Sequence, residues 1–388
     1  MSKFDEIIER RGTHSMKWDN MQNALGVSPD QGLAMWVADM DFRPPASVQQ
    51  ALEAQIAHGV YGYFGDPSDA NHAVQWWMQQ RHQWAIETDW ISHTHGLVNG
   101  TALCLQAFTQ PDDGVLLLTP VYHAFARTIK AMGRQVVECP LPIIEGQYQI
   151  DMQRYEAQMT GQESMLILCS PHNPGGRVWT REELQDVIAF CQRHNLLLVS
   201  DEIHHDLVMP GHKHHVLATL DDADPAHTVT LSATTKSFNL AGGLTGQVII
   251  ADAALREKFR QTTLAYGISP NAFGMHMIPA AYSEAGAAWI DELMAYIAEN
   301  QRLFNAAIDG IDGLTAMPLQ STYLSWVDLN QHPKGADEVA RIIKEAAQIA
   351  ANVGSTFGAG GEGFLRFNLA TPRARVTDAI NRLQNALG

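Results

Sequence analysis

Between Ser47 and Tyr282 the chain alternates short, unbroken apolar runs with amphipathic stretches. The runs Val115-Leu116-Leu117-Leu118, Met165-Leu166-Ile167-Leu168, Leu196-Leu197-Leu198-Val199, Val229-Thr230-Leu231 and Val248-Ile249-Ile250 are too short for helices and show no polar alternation. That is the pattern of strands covered on both faces. Between the second and third runs, Thr180-Arg181-Glu182-Glu183 has the form of a capping box, and Leu184, Val187, Ile188 and Cys191 follow at helical spacing. This strand-helix-strand unit predicts an α/β fold with a mostly parallel sheet between helices.

Past Tyr282 the periodicity lengthens. Trp289, Ile290, Leu293, Met294 and Ile297 mark one helix, Val339, Ile342, Ile343 and Ala346 a second, and Val376, Ile380, Leu383 and Leu387 a last one. Thr322-Tyr323-Leu324-Ser325-Trp326-Val327 and Phe364-Leu365-Arg366-Phe367-Asn368 read as strands among them. The change predicts a large domain over residues 48–286 and a smaller α+β domain over 287–388.

Composition narrows the function. At 388 residues the chain has ample length to bury an apolar interior, and no apolar run approaches the roughly 20 residues that cross a bilayer, so no membrane span is expected. The N-terminal residues carry acids early and lack the apolar core of a secretory signal, which makes a cytoplasmic location the expectation. A net charge of −16 disfavours nucleic acid, whose binding depends on neutralising phosphates, and leaves a small-molecule substrate as the better fit. Cys104, Cys139, Cys169 and Cys191 have no Cys-x-x-Cys spacing and read as buried reduced thiols.

Three polar segments each close an apolar run: Ser170-Pro171-His172-Asn173-Pro174-Gly175-Gly176, Ser200-Asp201-Glu202-Ile203-His204, and Ala233-Thr234-Thr235-Lys236-Ser237. Lys236 stands among small residues after a strand, where a Schiff-base lysine would sit. Gly100-Thr101, read as opening a helix, offers N–H groups and a hydroxyl to a phosphate, with a plain helix cap as the competing reading. Arg366 lies inside an apolar strand, and a guanidinium buried without an anion is costly. Two other patterns are set aside. Gly358-Ala359-Gly360-Gly361-Glu362-Gly363 has dinucleotide-loop spacing but precedes a strand instead of opening a helix. His204, His205, His212, His214 and His215 lack a clean ligand pattern, so no metal is expected.

The three segments, in this order, resemble fold-type I pyridoxal-phosphate enzymes of the aminotransferase class I/II superfamily, over nearly the whole chain. Arg11-Gly12-Thr13, Lys17-Trp18-Asp19, Ala38-Asp39-Met40-Asp41-Phe42, Tyr61-Gly62-Tyr63 and Asp201-Glu202-Ile203-His204 narrow the resemblance to the cystathionine β-lyase or C–S lyase (MalY/PatB) branch. The resemblance implies a homodimer with residues 1–47 joining the small domain, and pyridoxal 5'-phosphate as cofactor. It implies Lys236 as the catalytic lysine, Asp201 at the pyridine nitrogen, Asn173 and His204 at the phenolic oxygen, and Tyr122 stacked on the ring. The phosphate falls to Gly100, Thr101 and either Thr234 or Thr235, together with Tyr63 from the partner subunit; the substrate carboxylate falls to Arg366, with Tyr122 and Asn173 beside it. The implied reaction is α,β-elimination from cystathionine or another L-cysteine S-conjugate to thiol, pyruvate and ammonia. Transamination of a similar amino acid by the same machinery, and a regulatory role through a protein partner, are the alternatives.

Overall fold

The structure, a computed structural model, describes residues 2–388. The expected apolar runs form the centre of a seven-stranded sheet. Its spatial order is Ile91–Thr94, Gly246–Ile249, Thr228–Ser232, Leu197–Asp201, Glu163–Cys169, Gly114–Thr119, Gln135–Pro140. All strands run in one direction except Gly246–Ile249, which is antiparallel to both neighbours. Every residue of the four strands starting at Gly114, Leu197, Thr228 and Gly246 is buried, because helices cover both faces. The capping box forms as expected: Thr180 accepts from the Glu183 N–H, the Glu183 carboxylate accepts from the Thr180 N–H, and the helix runs Arg181–Arg193.

The C-terminal part contributes helices Glu284–Ile308, Ala336–Glu345 and Arg373–Leu387 around a four-stranded antiparallel sheet. Its order is Thr315–Ala316, Leu324–Asp328, Phe364–Asn368, Asn352–Val353. The N-terminal segment is woven into it. Leu33 and Ala34 pair in parallel with Ile349 and Ala350, and Trp18, Met21, Val27 and Met35 share a core with Phe304, Val339, Phe367 and Leu383.

From there the chain runs as a strap toward the large sheet. Asn368 Nδ2 donates to the carbonyls of Val37 (2.7 Å) and Asp39 (2.6 Å), clamping the residue between them. The strap's two acids anchor its far end. Asp39 takes a two-nitrogen grip from Arg10, and buried Asp41 is held well below the carboxylate range by Lys17 and Arg375, against the opposing cost of burial. All four cysteines are buried and free. Among the described residues no helix is long and apolar enough to cross a membrane.

Candidate active site

The carboxyl ends of the parallel strands meet the small sheet and the strap around a cavity of about 510 Å³. Ligand sites of open α/β sheets lie at such strand ends. Each polar group arrives by its own strand: Tyr122 after Gly114–Thr119, Asn173 after Glu163–Cys169, Asp201 as the last residue of Leu197–Asp201, and Thr235 and Lys236 in the helical turn after Thr228–Ser232. Arg366 comes from the opposite side, on Phe364–Asn368. The structure thus brings Tyr122, Asn173, Asp201, His204, Thr235, Lys236 and Arg366 to one cavity.

Burial sets the electrostatics. It lowers Lys236 from 10.5 to about 8, partly offset by the charge of Asp39, and the amine donates to the Ala38 carbonyl at 2.7 Å. Burial raises Asp201 from 3.8 to about 7; its Oδ1 accepts from the Ile203 N–H at 3.1 Å. Burial and the positive charges of Lys236 and Arg366 hold His204 well below the usual imidazole range, so its ring is neutral. Arg366 is also lowered by burial, to about 10. Its Nη1 donates to Asn173 Oδ1 (2.9 Å), and its Nη2 to the Trp36 carbonyl (2.9 Å) and Asn352 Oδ1 (2.7 Å). Arg366 Nε is buried without a partner.

Three of the expected residues, Gly100, Thr101 and Thr234, do not line the cavity. The helix read as opening at Thr101 begins four residues earlier, as Leu97–Phe108 capped by Gly96. Gly100 N–H therefore donates to the Gly96 carbonyl, and Thr101 Oγ1 to that of Leu97 (2.8 Å), so neither points a donor into the cavity. Gly96, Leu97 and Val98 line it instead, and the first N–H groups of a helix have no partner within it. Thr234 does not reach the cavity; its hydroxyl is buried in the protein without a partner, and only Thr235 stands on the wall. Tyr63 of this chain is wholly exposed, at 101% relative accessibility, and lies outside its own cavity.

Sequence reasoning gave no site role to Trp36 and Ala38, whose carbonyls accept from Arg366 and Lys236, to Leu97 and Val98, which line the cavity, or to Asn352 and His123. The histidine group also assembles differently. His205 joins His82 around Asp206, with ligand atoms within 4.8 Å of one another, while His214 bonds Glu202.

The donor set suits pyridoxal phosphate. An amine lowered toward neutrality can take up an aldehyde, and a buried acid bonded only through one oxygen can receive a protonated ring nitrogen. A helix N-terminus opening on the same cavity can hold a phosphate dianion. Unpaired Arg366 Nε remains for a carboxylate.

A seven-stranded sheet with such a site at its carboxyl ends, joined to a small antiparallel sheet, is the architecture of fold-type I pyridoxal-phosphate enzymes. Cystalysin from Treponema denticola, solved with its pyridoxal 5'-phosphate cofactor, superposes with a TM-score of 0.94 at 35% identity, covering 100% of this chain and 99% of that one. The pyridoxal-phosphate-bound C–S lyase from Staphylococcus hominis gives 0.89 at 27% identity, over 100% and 98%. In sequence, cystathionine β-lyase PatB of Bacillus subtilis (strain 168) is 37% identical over 387 residues, 99% of either chain. Residues 37–383 match the family Aminotransferase class I and II, and the chain belongs to that family of pyridoxal-phosphate enzymes, in its C–S lyase branch.

Proposed function

We propose that this protein is a C–S β-lyase acting on L-cysteine S-conjugates of the cystathionine type, releasing a thiol, pyruvate and ammonia. The observation that carries the reading is one cavity holding both the Lys236 amine and the Arg366 guanidinium with its unpaired Nε, in a chain resembling a cystathionine β-lyase from end to end.

The N-terminal N–H groups of Leu97 and Val98, with the Thr235 hydroxyl, would hold the cofactor phosphate. Tyr122 would cover its ring, Asp201 would face its ring nitrogen, and Asn173 and His204 would meet its phenolic oxygen. Bound pyridoxal phosphate supplies the sink for the electrons left on the substrate Cα. Arg366 binds the α-carboxylate, and Asn173, Asn352 and the Trp36 carbonyl hold the guanidinium in position. The neutral Lys236 amine takes the Cα proton. The Cβ–S bond then breaks with its electron pair on sulfur, and the Lys236 ammonium returns a proton to the thiolate. A thiolate is a tolerable leaving group because a thiol's pKa is only about 8.5. The released enamine takes up water to give pyruvate and ammonia.

A homodimer belongs to the same reading. Ile56, Val60, Tyr61, Tyr63, Leu264 and Tyr266 are large side chains left exposed, and exposed Leu244 lines the cavity. A partner subunit seated there would bring its own Tyr63 toward the phosphate.

Pyruvate release from L-cystathionine by the cofactor-loaded protein, with no 2-oxo acid present, tests the reaction. Sustained multiple turnovers are expected. Absence of pyruvate, with an added amino acid converting the cofactor to its pyridoxamine form, would assign transamination instead.

A further inference from the structure

Three titratable side chains on the cavity wall, His95, Cys169 and His123, have no part in the proposed reaction; His95 bonds the Ser269 carbonyl and Cys169 Sγ that of Pro171, which leaves His123. His123 directly follows Tyr122 and caps the helix Ala124–Ala131. Its ring stands edge-on between two aromatics, with centroids 5.1 Å from Tyr122 and 5.6 Å from Phe357. The Arg366 guanidinium lies 4.9 Å from the same Phe357 ring, so imidazole and guanidinium share a neighbour on one side of the cavity.

His123 Nδ1 is buried without a hydrogen-bond partner. A buried polar atom left so costs free energy unless a ligand or water uses it. Burial, then the charges of Arg366 and Arg127, lowers the ring to about 4, so near pH 7 it is neutral and carries one N–H donor. Arg366 meanwhile commits three hydrogen bonds to Asn173, Asn352 and Trp36. A carboxylate arriving there has about four lone-pair sites to satisfy and finds a guanidinium already largely engaged.

We infer that His123 is a substrate-binding residue whose imidazole N–H donates to the α-carboxylate held by Arg366. Two groups, one charged and one neutral, then share the anion from adjacent positions on the wall. The inference rests on the reading of the cavity as an amino-acid site.

The test is equilibrium titration of the cofactor-loaded protein with L-alanine, which has no β-leaving group, and with ethylamine, its counterpart without a carboxylate, followed by the cofactor's visible absorbance. His123→Phe keeps a ring between Tyr122 and Phe357 but removes the N–H. It should weaken L-alanine about 10- to 100-fold, the worth of one hydrogen bond to a charged group, and leave ethylamine within about twofold. His123→Gln should regain part of the L-alanine affinity. His123→Leu provides a second variant with the same expectation as His123→Phe should the larger ring disturb folding. Unchanged L-alanine affinity in these variants, or equal losses for both ligands, overturns the carboxylate contact while leaving the amino-acid site intact. A wild-type protein that loads cofactor but binds no amino acid overturns both readings.

Discussion

Lys236 Nζ donates to the carbonyl oxygen of Ala38, a residue 198 positions away on the N-terminal strap. Tyr323 Oη donates to the same oxygen at 3.0 Å, and Asn368 clamps the carbonyls on either side of it. The acceptor for the lysine is therefore set by the small sheet and not by the strand that delivers Lys236. An amine arriving from one sheet is aimed by the other.

That amine titrates early. With burial as the leading cause, Lys236 falls to about 8, so about a tenth of it is neutral at pH 7, against about one part in 3,000 for an ordinary lysine. Covalent capture of pyridoxal phosphate by the cofactor-free protein should accelerate with a midpoint near pH 8. Lys236→Ala should bind the cofactor without a covalent link and lose turnover. Stopped-flow absorbance across pH 6 to 11 checks the first expectation; a midpoint near 10 would mean a solvated amine.

Asp201 gives a stability prediction of definite sign. Its carboxyl is raised by burial from 3.8 to about 7, so the folded chain keeps this proton where the unfolded chain has lost it. The cofactor-free protein is thus destabilised as pH rises through that window, and the full penalty persists above it. Asp201→Asn removes the penalty. Without cofactor, the variant should melt about 2–5 °C above wild type at pH 8, with the gap closing toward pH 5. In the loaded enzyme the same change should cost activity, because the ring nitrogen loses its anion. Equal melting at both pH values would place the carboxylate in contact with water.

The helix start separates two glycines that the sequence does not. Gly96 caps the helix at φ +81°, a conformation that strains any side chain by about 1–2 kcal/mol, although no atom lies within 4 Å of an added Cβ. Gly100 lies in the helix, where an added Cβ meets Thr94 Oγ1 and Val248 Cγ2 at 3.3 Å. Gly96→Ala should lower cofactor affinity by about 5- to 30-fold by disturbing the N–H groups of Leu97 and Val98. Gly100→Ala should keep cofactor affinity and lose only a little stability. Fluorescence titration of both apoproteins decides; the reverse order would return the phosphate to Gly100 and Thr101.

This contrast shows what the sequence could carry. Runs buried on both faces are mostly apolar, so Leu116, Ile167 and Val199 advertise their strands, and a charged residue at such a strand's end, as with Asp201, stands out against them. Arg366 is visible for the same reason. Backbone contributions leave no such mark: Ala38 and Trp36 accept through carbonyls, and Leu97 and Val98 would act through N–H groups that any residue possesses. The helix start was hidden because Leu97-Val98-Asn99 follows no Ser, Thr, Asp or Asn cap, only Gly96. Asn352 reaches Arg366 because the two face each other across antiparallel strands, a register fixed only by the folded sheet.

Tyr63 supplies the sharpest test of assembly. In one chain it is wholly exposed, whereas Lys236 is half-buried on the cavity wall. If a partner's Tyr63 completes each site, Tyr63→Ala and Lys236→Ala each remove a different part of it. A mixed dimer then holds one site lacking both groups and one site lacking neither. Unfolding and refolding the two variants together should restore pyruvate release to about a quarter of the wild-type rate, since random pairing makes half the dimers mixed and half their sites whole. The variants refolded separately and then pooled supply the baseline. Recovery no greater than that baseline, in a mixture that sediments as a dimer, would show that each chain builds its site from its own residues.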